Sequence, residues 1–160
     1  MEHNFTIVHL KSPTITRQNS LKVFFDTLTK EGYHVLAFNM ERLCETSLQA
    51  LYGEPDVLLK TSHYPYGMSL CLHKPKVNTV KEFNALLGPT GLYKATTSQL
   101  RGKLSGYVFC GNKASVYDDV CYASKDARRA VYDLEVLFPI PIGDRIKDYI
   151  QELNQKWKIT

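Results

Sequence analysis

The side chains able to do chemistry here are five histidines, four cysteines and a concentrated run of cations. His3, His9, His34, His63 and His73 all fall in the first half of the chain. Any imidazole nucleophile, base or ligand must therefore come from there. Cys44, Cys71, Cys110 and Cys121 form no CxxC pair and no regular framework. Such spacing suits reduced core thiols of an intracellular protein, and it lacks the tight clustering of a zinc site. Between residues 94 and 129, Lys94, Arg101, Lys103, Lys113, Lys125, Arg128 and Arg129 face only Asp118, Asp119 and Asp126. That stretch carries the whole net charge of +4. A basic loop beside a sheet could recognise phosphate, of a nucleotide or of a nucleic-acid backbone. The plain alternative is a solvated basic face. Aromatic residues do not interleave with these cations as single-strand binding requires, which argues against nucleic acid.

These groups sit in a chain of 160 residues, the length of one domain. A 44% hydrophobic share excludes disorder and low complexity. No apolar run approaches the roughly 20 residues of a membrane helix, and Met1 to Lys11 lacks the order of a secretory signal. A cytoplasmic protein is expected.

The elements that must position the chemistry follow from periodicity. Phe5 to Leu10 is apolar and β-branched, a buried strand. Asn19 or Ser20 is the expected N-cap of a helix carrying Leu21, Phe24, Phe25 and Leu28 on one face and closed by Gly32. A strand follows at Tyr33 to Met40, then a short helix from Cys44 to Tyr52 and another helical piece near Val57 to His63. Gly67 to His73 is a third strand, and Thr79 to Leu87 an amphipathic helix. Gly88 to Leu104 shows no strong periodicity and is long for a structureless loop. Tyr107 to Cys110 is expected as the fourth strand, and Ala127 to Phe138 as a helix. Pro-Ile-Pro-Ile-Gly then forms a stiff exit to a terminal helix starting at Asp144, with Ile146, Tyr149, Ile150, Leu153 and Trp157 on one stripe. This order implies an α+β, ferredoxin-like fold: a four-stranded antiparallel sheet with flanking helices, plus a C-terminal helix. Residues 1–139 form the domain, and 140–160 the exit and terminal helix.

FTIVHLKSPTI, with its helix and GYHVLAFNMERL, resembles the start of the nucleoside diphosphate kinase family. The similarity continues through LYG at Tyr52, LLGPT ending at Thr90, QLRG at Arg101, GN at Asn112 and ARRAVYDLEVLFP, covering about residues 4 to 139. The resemblance implies a nucleotide site in which Lys11 and Tyr52 lie near the reactive phosphate. Thr90 and Arg101 would contact the nucleotide phosphates, and Asn112 the sugar. In that family a phosphohistidine carries phosphate between nucleotides, the histidine standing three residues after the asparagine. Here that position is Ser115, followed by Val116-Tyr117 where the family has Gly-Ser. Serine has no imidazole lone pair, and no histidine occurs after His73. A second phosphate-binding arginine, expected six residues before Thr90, is Asn84. The helical hairpin between Tyr52 and Gly67 is also shorter than the family norm.

The resemblance therefore implies a pseudoenzyme, with no catalytic residue and no metal. No cofactor is expected, with a nucleotide or Mg2+ at most a weak ligand. FPIPIGDRIKDYIQEL is similar to the segment after the domain in the family's axonemal, radial-spoke branch. That implies a structural or docking subunit of the cytoskeleton in a ciliary or flagellar axoneme, with axonemal proteins or tubulin as partners and no membrane. The alternative is a nucleotide-binding protein, taking ADP or ATP, or a residual phosphotransferase with a non-standard nucleophile.

Overall fold

The computed structural model describes residues 4–53, 66–90, 94–108 and 120–156. The apolar run that begins the chain becomes β1 (Thr6–Lys11), buried through its first five residues. It pairs antiparallel with β3 (Tyr66–His73), from Thr6 opposite Leu72 to Lys11 opposite Gly67. On its other side it pairs antiparallel with β4 (Cys121–Ala123). β2 (His34–Arg42) adds to the far side of β3, so the sheet runs β2-β3-β1-β4 with every neighbour antiparallel. A central strand covered on both faces reads as a continuous apolar run rather than an alternation.

Side-chain alternation along β1 separates two cores. Val8 and Leu10 join Met68, Leu70 and Leu72 beneath α2 (Gln18–Lys30), α4 (Thr79–Leu87) and α5 (Leu100–Val108). Phe24, Leu28, Phe83, Leu87, Leu100 and Leu104 fill that side. Phe5 and Ile7 join Cys71 on the opposite face, under α3 (Glu45–Tyr52), α6 (Ala127–Leu137) and α7 (Ile140–Lys156). Among the described residues, no helix is long and apolar enough to cross a membrane.

Three expectations need correction. The helix expected to be capped by Asn19 or Ser20 starts at Gln18. Ser20 is buried, and its hydroxyl donates to Thr14 O at 2.6 Å and Arg17 O at 2.9 Å. It therefore joins α2 to the short α1 (Ser12–Thr16). Of the strand expected at Tyr107 to Cys110, Tyr107 and Val108 are helical instead, and 109–110 lie outside the described residues. Residues 100–108 are helical, and the fourth strand is Cys121–Ala123. Leu100 and Leu104 stand one helical turn apart and both bury in the first core, which overrides the β-propensity of Tyr107 and Val108.

The exit from the domain is helical rather than a stiff linker. The terminal helix begins at Ile140, so Pro-Ile-Pro-Ile-Gly is its first turn. Proline is tolerated there because its missing N–H has no intrahelical acceptor to satisfy. The Pro139 carbonyl accepts from Ile142 N at 2.9 Å and Gly143 N at 3.0 Å. Ile146 and Ile150 bury in the second core. Each such side chain contributes about 1.5–3 kcal/mol, so α7 folds back on its own domain.

Candidate functional site

Of the residues inferred to surround phosphate, Lys11 through its backbone and Arg101 through its guanidinium meet at the start of β4. Lys11 ends β1, and its N–H donates to Val120 O at 3.2 Å. Arg101 lies in the first turn of α5 and is only 5% exposed. Its Nη1 donates to Gly88 O at 2.5 Å and its Nη2 to Cys121 O at 2.9 Å. The guanidinium therefore ties the end of α4 to β4. Thr90 is exposed, two residues past Gly88. Tyr52 closes α3 and is described through its backbone alone. Asn112, Ser115 and the helical piece expected near 57–63 lie outside the described residues.

Asn84, at the position where a second arginine was expected, has a structural task. Its Nδ2 donates to Val80 O at 2.9 Å and to Ser124 O at 2.8 Å. An uncharged amide holding two backbone carbonyls offers nothing to a developing phosphoryl charge.

The loop before α5 contains a signal that periodicity missed. Thr96-Thr97-Ser98-Gln99 has the spacing of a capping box and makes its return half: the Gln99 side-chain oxygen accepts from Thr96 N at 3.0 Å. The Thr96 carbonyl accepts from Gln99 N, also at 3.0 Å. This box starts the helix that delivers Arg101.

A second cluster escaped the sequence reading. Asp133 is fully buried, and its carboxylate accepts from Tyr122 Oη and Ser124 Oγ, both at 2.7 Å, and from Arg129 Nε at 2.7 Å. Burial raises the Asp133 pKa, against the opposing pull of these donors. Arg129 also donates through Nη2 to Ala50 O at 2.5 Å and Leu51 O at 3.2 Å, satisfying carbonyls at the end of α3. Arg129 therefore belongs to a folded network rather than to an open basic face. The i, i+4 spacing of Arg129 and Asp133 was the available clue. Lys94, Lys125 and Arg128 remain exposed.

Neither buried histidine resembles a nucleophile poised for phosphate. His9 lies on β1 with its Nδ1 sharing a 3.0 Å hydrogen bond with Ser69 Oγ, and Gly67 leaves the space its ring fills. Burial, and secondarily the Lys11 charge, lower its pKa to about 4. The folded state thus prefers neutral His9, while the unfolded chain binds the proton near pH 6.5. Stability from this group is complete above that value and declines as pH falls towards 4. The loss should reach about 3 kcal/mol. Urea unfolding between pH 7 and 4 should show this slope in the wild type and a flatter one in His9→Gln. Equal slopes would remove His9 as the cause. His73 is buried at the end of β3. His34 is exposed, and His3 and His63 lie outside the described residues.

The order β2-β3-β1-β4, with helices on both faces, defines an α+β fold of the ferredoxin-like type. It is the fold of nucleoside diphosphate kinases. An orthorhombic crystal structure of the Aquifex aeolicus nucleoside diphosphate kinase superposes with a TM-score of 0.69. The match covers 86% of this chain and 96% of that one, at 16% sequence identity. No family model matches the chain, and no curated protein matches it.

Proposed function

We propose that this chain is a nucleoside diphosphate kinase-fold protein that does not transfer phosphate and acts as a structural subunit of a ciliary or flagellar axoneme. The observation that carries the first half is the absence of any histidine after His73, with Ser115 at the nucleophile's position in the resemblance. The engagement of Arg101 and Asn84 with backbone carbonyls supports it. A nucleotide-binding protein without turnover is the second reading, favoured by the approach of the Lys11 backbone and the Arg101 guanidinium to neighbouring carbonyls, those of Val120 and Cys121.

The axonemal half rests on the similarity of FPIPIGDRIKDYIQEL to the radial-spoke branch. Because Ile146 and Ile150 are buried, they are not available to a partner. The outward apolar groups on α7 are Ile140, 78% exposed, with Ile142 and Tyr149. These would meet an axonemal protein or tubulin. A tagged Ile140→Ser/Tyr149→Ser double variant should fold normally and be depleted from isolated axonemes relative to wild type. Undiminished incorporation would contradict docking through this helix.

A further inference from the structure

The end of the sheet opposite Lys11 holds a pair of histidines that the nucleotide reading does not use. His34 opens β2 and stands directly across from His73, the last residue of β3. Antiparallel partners project to the same face of a sheet. Their ring centroids are 6.4 Å apart with the planes tilted by 37°. His73 is only 2% exposed, whereas His34 is open to solvent.

The surroundings fix the His73 tautomer. Its Nδ1 lies 2.6 Å from the Asn4 carbonyl oxygen. A carbonyl can only accept, so Nδ1 carries the hydrogen and neutral Nε2 presents a lone pair. That lone pair is buried and has no hydrogen-bond partner among the described residues. Asn4 is itself held firmly. Its Oδ1 accepts from Thr79 N at 2.9 Å, and its Nδ2 donates to Lys74 O at 3.1 Å. A ring N–H donated to a backbone carbonyl is the arrangement that orients a histidine as a metal ligand.

We propose that His34 and His73 form a two-histidine site for a divalent transition-metal ion of the zinc type. Two imidazoles on one tetrahedral ion, at about 2.1 Å for each metal–nitrogen bond, place their centroids roughly 5–5.5 Å apart. Reaching this from 6.4 Å needs a movement of about 1 Å. The exposed His34 side chain at the strand end supplies it by turning over the fixed His73 ring. No group of three or more His, Cys, Asp or Glu able to hold a metal occurs among the described residues, so the ion would have two protein ligands and be held more weakly than at a three- or four-ligand zinc site. Lys74, next in the chain, has its ammonium 5.0 Å from the Tyr33 ring centroid, a contact that offsets its charge. The bound ion would add a side-chain link between the paired start of β2 and end of β3 and, through His73, to Asn4.

The test is Zn2+ titration of the full chain against a chromophoric chelator, in wild type and His34→Ala. His34 is exposed, so the substitution leaves folding intact, and His3 and His63 are present in both proteins. Wild type should bind one ion, and His34→Ala should bind it at least roughly tenfold more weakly, the minimum lost on disturbing a ligand's support. His34→Cys, which restores a zinc donor, should recover affinity. Co2+ should give a ligand-field absorption band in wild type that is altered in His34→Cys. Equal affinity in wild type and His34→Ala, or no zinc binding by wild type, would overturn the proposal.

Discussion

Gly102→Ala should destabilise the protein by about 3 kcal/mol, at the upper end of overpacking costs. A Cβ at Gly102 would stand 2.0 Å from the Thr96 carbonyl oxygen and 2.6 Å from its carbon. Both are backbone atoms held by the capping box, so no side chain can turn aside. Relief would require moving the loop off α5, and with it the first turn that carries Arg101. Gly143→Ala provides the contrast, since the nearest atom to its Cβ is Leu134 Cγ at 4.0 Å. Alanine there should stabilise α7 by up to about 1 kcal/mol, because glycine is the poorer helix former. Urea midpoints of the two variants should move in opposite directions. A neutral Gly102→Ala would show that the loop and helix do not meet this closely.

Asp133→Ala should be at least as damaging. The carboxylate has no exposure and is the shared acceptor for Tyr122, Ser124 and Arg129. Its removal leaves the buried Ser124 hydroxyl and the half-buried Tyr122 without that acceptor, and the Arg129 guanidinium without its counter-charge. Breaking a buried pair by deleting one partner costs about 3–5 kcal/mol. The end of α3 should loosen as well, because Arg129 also holds the Ala50 and Leu51 carbonyls. Hydrogen exchange should therefore quicken at α3 as well as at α6. Asp133→Asn keeps the volume and part of the acceptor capacity, so its loss should be smaller. Equal stability of Asp133→Ala and wild type would mean that the network contributes nothing net.

How much was legible in the sequence depends on the scale of each signal. β1, α2, β2, β3, α4 and α6 were found because each spans enough residues for a period of 2 or 3.6 to show, or forms an unbroken apolar run. β4 was missed because Cys-Tyr-Ala is three residues long and shows no period of its own. Tyr-Val-Phe-Cys, richer in β-formers, attracted the assignment instead. α5 was hidden because its apolar stripe shows only Leu100 and Leu104 and the segment carries two glycines, Gly102 and Gly106, which are poor helix formers. Its start was marked by Thr96 and Gln99, a spacing read only when a capping box is sought. For the candidate site the sequence supplied residues but no geometry. Lys11, Thr90 and Arg101 followed from the resemblance, but nothing local to QLRG shows that the Arg101 guanidinium turns inward to Gly88 and Cys121. Asn84 likewise marked a missing charge, whereas its bond to Ser124, forty residues on, needed the fold.

The central claim is that this fold persists here without phosphoryl transfer. It is tested most directly by incubating the purified chain with γ-labelled ATP and a nucleoside diphosphate. The protein should acquire no acid-labile phosphohistidine, and no label should appear in the product triphosphate above a no-protein control. A labelled phosphoenzyme that passes its phosphate to the diphosphate would contradict the account.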